Sequence, residues 1–207
     1  ASIQFTLNDG FATANAVVAV NSDLIYVNTI IDTSIINLSN GVSFSEAIAI
    51  AAADLTGTQT IVFSNSINGE IILAGNLAIN ESLNISVSSG NITLSGAEIS
   101  IANATNTTFL VNSTGILEIK SVLTGFGSVT KNGTGNLKLS GNNSYSGSTS
   151  VNAGSFSTTN NLAGNINVSS GATLEAQGSI KGNVIVQGNL RVAGNTTGIL
   201  NINGMLS

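Results

Sequence analysis

The chain has 207 residues, a net charge of -5, no cysteine, no histidine and no proline. It is 42% hydrophobic yet only 7% charged, against about a quarter in ordinary globular proteins. That combination excludes disorder, a disulfide framework and thiolate or imidazole metal sites. Five basic residues scattered singly cannot track a phosphate backbone, so no nucleic-acid partner is expected. Asn, Ser, Thr and Gly fill the polar positions and Ile, Val and Leu the apolar ones, a composition of strands and turns. No run reaches the roughly 20 apolar residues of a spanning helix. The start at Ala1, with neither Met nor a leader pattern, reads as a processed or excised fragment.

Residues 1–58 read as an N-terminal cap region. Ile3, Phe5 and Leu7 share one face of a first strand, and Asn8-Asp9-Gly10 turns the chain. Ala16–Val20 and Leu24–Ile31 come next, with strand composition. The one helix is expected over 43–54. Ser43 and Glu46 form a capping box, and Phe44, Ala47, Ile48 and Ala51 make an apolar stripe at i, i+3, i+4, i+7. Asp54 and Gly57 end it. This helix is expected to cover the hydrophobic mouth of the first coil.

From 59 to 207 the chain is a succession of short strands and polar turns. Strands are expected at Thr60–Phe63, Glu70–Leu73, Leu77–Ile79, Leu83–Val87, Asn91–Leu94, Glu98–Ile101, Thr108–Val111 and Ile116–Ile119. They continue at Ser128–Lys131, Asn136–Ser140, Ser148–Asn152, Asn165–Val168, Thr173–Glu175, Asn183–Val186, Asn189–Val192 and Leu200–Ile202. Phe156 is expected alone between rungs, stacked inside. Antiparallel hairpins with Asn-Gly turns would give a sandwich. Three short strands per repeat without a long crossover favour a parallel β-helix. The fold class is therefore all-β, a right-handed parallel β-helix with a short N-terminal capping helix. Inward Ile, Val and Leu would stack in ladders, and turn Asn residues would bond Asn residues one coil on.

The stretch 125–154, GFGSVTKNGTGNLKLSGNNSYSGSTSVNAG, resembles the autotransporter-associated β-strand repeat of type V secreted passenger domains. The residues that carry the likeness include Gly127–Lys131, Gly133, Gly135, Asn136–Gly141, Asn143, Tyr145, Gly147, Thr149 and Val151–Gly154. Gly171–Leu174, Ile180, Gly182–Val184, Gly188–Leu190, Ala193–Asn195 and Gly198–Gly204 are similar to the coils after such a repeat, with Ala193 where proline is common. Gly41–Ile48 is similar to a Leu-Arg-Glu-Ala-Ile stretch near the start of surface β-helices, Phe44 and Ser45 replacing Leu and Arg. Together these matches cover roughly half of the chain. The resemblance implies an exported Gram-negative protein at the cell surface or secreted, anchored through a barrel absent from this chain. Exposed β faces rich in Ser, Thr and Asn and low in charge make adhesion the expected role, to a host surface protein or glycan or by self-association between cells, with a part in virulence.

Chemistry is sparse. Polysaccharide-degrading β-helices need paired or clustered carboxylates, but every Asp lies at or before residue 54. The coils hold only isolated glutamates at 70, 81, 98, 118 and 175, of which Glu70 and Glu98 could stack. Lys120, Lys131 and Lys138 have no acidic cluster beside them in sequence. No catalytic residue, metal site or cofactor is expected. Tyr145 reads as turn packing, and the many Asn-x-Ser/Thr triplets as chance in so Asn-rich a chain. The leading function is non-catalytic adhesion. A structural stalk displaying another domain is the alternative, and glycan degradation a third.

Overall fold

The computed structural model describes residues 2–8, 13–19, 23–32, 41–54, 57–192 and 199–207, the first two segments as strand backbone only. The expected turn at Asp9-Gly10 and the stretch Ala193-Gly194-Asn195 lie outside them.

β1 (Ser2–Asn8) and β2 (Thr13–Ala19) form an antiparallel pair with each other. β3 (Leu24–Val27) is shorter than the expected 24–31 and joins the main ladder, pairing in parallel with β4 (Thr60–Phe63). Between them stands α1 (Phe44–Ala53). Its capping box is formed: Ser43 N donates to Glu46 Oε2 at 2.7 Å, and Glu46 N donates to Ser43 Oγ at 3.3 Å. Phe44, Ala47, Ile48 and Ala51 are buried as the stripe predicts, and Ile50 is buried as well. Phe44 stacks on Phe63 with ring centroids 5.5 Å apart, which seats the helix on the first coil. Ser43→Ala removes one half of the box and should cost about 1 kcal/mol; thermal unfolding followed by circular dichroism checks it, and an unchanged Tm would show that packing alone holds the helix.

The rest is a parallel β-solenoid of about six turns. After β4 come β5 (Gly69–Leu73), β6 (Leu77–Ile79), β7 (Leu83–Gly96), β8 (Ile99–Ile101), β9 (Asn106–Ile119) and β10 (Leu123–Gly125). Then come β11 (Ser128–Asn132), β12 (Asn136–Leu139), β13 (Thr149–Val151), β14 (Ser155–Thr158), β15 (Ile166–Val168), β16 (Thr173–Ala176) and β17 (Gly178–Ile180). β18 (Val184–Val186), β19 (Asn189–Val192) and β20 (Leu200–Ile202) close the series.

Three faces result. The first face runs β3-β4-β7-β9-β11-β13-β15-β18, the second β5-β7-β9-β12-β14-β16-β19. The third is β6-β8-β10, resumed by β17-β20. β7 and β9 are long because each turns a corner without leaving the ladder, serving two faces. Coil length varies along the axis: paired positions lie 24 residues apart at Thr60 and Asn84, 20 at Ser128 and Ser148, 18 at Asn165 and Asn183, and 22 at Asn183 and Met205.

The core is a set of stacked columns. On the second face Ile92, Leu117, Leu137, Phe156, Leu174 and Leu190 succeed one another. Phe156 is fully buried as expected, but it lies within β14 rather than alone between rungs. On the first face the column reads Ile25, Ile61, Ile85, Phe109, Lys131, Val151 and Val168. A lysine thus occupies an interior hydrophobic position.

Glycine sets the corners. Between the third and first faces Gly127, Gly147, Gly164, Gly182 and Gly204 stack, each in the path of the next: a Cβ on Gly147 would lie 2.0 Å from Gly127 O, and one on Gly164 2.0 Å from Gly147 O. The corner closes only because no side chain is present there.

Candidate interaction surface

No side chain is expected to be catalytic, so any partner meets the outward positions of the faces. The two larger faces differ. The outward column of the first face is Leu24, Thr60, Asn84, Thr108, Thr130, Ser150, Asn167 and Ile185. None of these ionises. This column and the outward residues beside it are tied from coil to coil. Asn84 Nδ2 donates to Thr60 Oγ1 at 3.2 Å, and Thr130 Oγ1 donates to Asn106 Oδ1 at 3.0 Å. Asn152 Nδ2 donates to Asn132 Oδ1 at 2.9 Å.

The second face carries charge. Its outward column is Glu70, Thr93, Glu118, Lys138, Ser157, Glu175 and Arg191. Lys138 lies 2.9 Å from Glu118, and Lys120 3.4 Å from Glu70. Both lysines therefore have acidic neighbours, supplied by other coils and invisible in linear sequence. The hydrogen bond from Ser95, and then Lys120, hold the Glu70 carboxyl below its ordinary range. Burial pushes Glu118 up, but the bonds from Lys138 and Ser140 outweigh it and leave the carboxyl low. Glu98 accepts from Thr124 Oγ1 at 2.7 Å on the third face. Glu81 is raised, first by burial and then by the neighbouring charge of Asp54. Glu70 and Glu98, the two glutamates that could have stacked, are thus spent on ties between coils, as is Glu118. No group of three or more potential metal ligands occurs among the described residues.

Asparagine does more than the amide stacking expected of it. Amide-to-amide bonding occurs at Asn132 and Asn152. Elsewhere the side-chain oxygen accepts a backbone N–H from an adjacent coil. Asn68 accepts from Asn91, Asn76 from Glu98, Asn161 from Ser179, Asn165 from Asn183, and Asn183 from Met205, all within 2.8–3.0 Å. These bonds satisfy backbone donors that strand pairing leaves open, at corners and within β7 and β17.

Two residues of the 125–154 stretch are interior. Tyr145 is 1% exposed, sharing a 2.6 Å hydrogen bond with Thr149 Oγ1; it packs, as its place in the pattern indicated. Burial pushes its hydroxyl up to about 12. Lys131 is fully buried, contrary to its reading as one of the scattered basic residues. Its Nζ donates to the carbonyls of Gly133 (2.7 Å), Asn132 (2.8 Å) and Ala153 (3.2 Å). Burial lowers its ammonium to about 8. The alternation Ser128-Val129-Thr130-Lys131 held the signal, since it puts Lys131 on the side of Val129.

A parallel β-solenoid with flat faces and glycine corners defines the architectural class. Within it, residues 129–157 match the family model described as passenger-associated-transport-repeat. This bears out the autotransporter repeat recognised at 125–154, and the match takes in both buried residues, Lys131 and Tyr145. Neither the curated proteins nor the solved structures gave a match. Repeat and solenoid together fit an autotransporter passenger.

Proposed function

We propose that this chain is a non-catalytic adhesive segment of an exported passenger, displayed at the surface of a Gram-negative cell or released from it. Contact is made by the first face, to a host surface or to the same face on a neighbouring bacterium. The observation that carries the reading is the uncharged ladder from Thr60 to Asn167, beside a second face that holds Glu70, Glu118, Lys138, Glu175 and Arg191. A surface without charge meets its own copy without repulsion. Its preorganised hydroxyls and amides lose little freedom on docking.

Size sets the strength. Eight strands about 4.8 Å apart make the first face roughly 30 Å long. With about 10–15 Å of outward strand across it, one copy offers some 300–450 Å², below the ~800 Å² per partner of a stable complex. A single contact is weak, and many copies on facing cells would make it effective.

The test is display of the full passenger with Ser150→Glu and Asn167→Glu, neighbours in the ladder. Sedimentation of cells, or their attachment to host cells, should fall several-fold, while Ser157→Glu on the second face leaves it unchanged. Equal adhesion by both variants would sink the reading. The stalk alternative is favoured by the corners of the repeat and by its buried Lys131 and Tyr145, whose polar atoms are used internally. Intact display without any adhesion by the wild type would select it.

A further inference from the structure

The third face is interrupted. β10 ends one ladder and β17 begins another, and in the coils between them only Leu162 keeps a bridge, to Ile180. Where strand pairing lapses the surface opens into a hollow of about 300 Å³, lined by Asn142, Asn143, Ser144, Asn161, Leu162 and Lys181, among others. That size lies at the small end of ligand sites and suits one sugar residue.

Its chemistry is one-sided. Lys181 forms no ion pair among the described residues, unlike Lys120 and Lys138. No carboxylate lines the hollow. Asn143 is 4% exposed; its Oδ1 accepts from Leu123 N at 2.9 Å, while its Nδ2 is buried without an acceptor. Asn161 Oδ1 is engaged by Ser179 N, which turns the free amide capacity of that side chain toward donation. A cation and amide donors therefore line a cleft whose remaining wall, Leu162 and Ala163, offers an apolar surface to the face of a ring. A buried donor without a partner is uncommon in a native protein and calls for an explanation.

We infer that this hollow between the third-face coils binds an acidic sugar residue, its carboxylate on Lys181 and its hydroxyls on Asn142, Asn143, Ser144 and Asn161. A hydroxylated ring uses donors and acceptors of Asn and Ser alike, whereas a peptide carboxylate would leave most of them idle. The site supplies a partner class for the adhesive reading and rests on it for its biological setting, but not on the first face.

The test is calorimetric titration of the whole chain with a linear trisaccharide of galacturonate and with its methyl ester. The acid form is expected to bind saturably in the millimolar range or tighter, and the ester about tenfold more weakly, the scale of one lost charge-assisted contact. Lys181→Gln should show the same loss with the acid form, Lys181→Arg should retain binding, and Lys138→Gln on the second face should bind as wild type. Equal binding of acid and ester, indifference to Lys181→Gln, absence of saturable binding, or stronger competition by an acidic peptide each overturns the assignment. Failure here with cell adhesion still sensitive to Ser150→Glu removes the sugar site alone. Loss of the first-face effect with trisaccharide binding intact removes only the adhesive face.

Discussion

Gly147→Ala should lower stability by about 3 kcal/mol or more, at the upper end of overpacking costs. The new Cβ would lie 2.0 Å from Gly127 O and 2.4 Å from Gly127 C, both backbone atoms that cannot rotate aside. Two coils must part by more than about 1 Å to restore ordinary contact, breaking nearby bonds such as Val129 N to Ser148 O at 2.9 Å. At roughly 2–4 °C per kcal/mol for a chain of this size, Tm should fall by about 6 °C or more. Gly171→Ala is the control for the backbone alone: Gly171 has a positive φ, +81°, but a Cβ there meets nothing within 4 Å. Its cost is about 1–2 kcal/mol. Solenoid stability is close to a sum over neighbouring repeats, so hydrogen exchange should report the Gly147→Ala loss first at β11 and β13. Equal Tm losses in the two variants would show that the corner is not tightly stacked.

Lys131→Ala is expected to cost about 2–5 kcal/mol, as large buried-to-alanine changes do, because it leaves a void and frees three carbonyls from their shared donor. Lys131→Met, which keeps the volume, should cost less. The diagnostic is pH. The folded ammonium titrates at about 8, the unfolded one near 10.4. Between these values the unfolded chain holds the extra proton, so stability rises with pH, by up to about 1.4 kcal/mol per unit. Tyr145 has the opposite sign: its hydroxyl is pushed up to about 12, against about 10 unfolded. Its contribution is complete below about pH 10 and is lost as pH rises through about 12. Urea midpoints should therefore climb from about pH 8 to about pH 10 and then decline. The climb should vanish in Lys131→Met and the decline in Tyr145→Phe. A flat profile in the wild type would contradict the buried ammonium.

Much of the fold was legible in the sequence. The capping box at Ser43 and Glu46, the stripe from Phe44 to Ala51 and most strands came from local spacing, because each is set by residues within a few positions. β10, β14 and β17 were not anticipated. Gly125, Thr158 and Gly178 dilute the hydrophobic alternation there, and pairing with neighbouring coils makes the strands. Lys131 was misplaced because its charge outweighed its parity. The pairing of Lys138 with Glu118 and Lys120 with Glu70, and the charge-free column of the first face, depend on coil length. That length varies between 24 and 18 residues and returns to 22 in the last coil, so no fixed period in the chain reveals which outward residues meet. The hollow beside Lys181 was hidden for the same reason, being made where two coils fail to pair.

The segregation of charge has an environmental consequence. Both ion pairs among the described residues lie away from the first face. Dissolved salt weakens attraction between charges separated by more than about a Debye length, and an uncharged ladder offers it nothing to weaken. Cells held together by that ladder would stay clumped from dilute water to brine, whereas those relying on ionic patches would come apart as salinity rose.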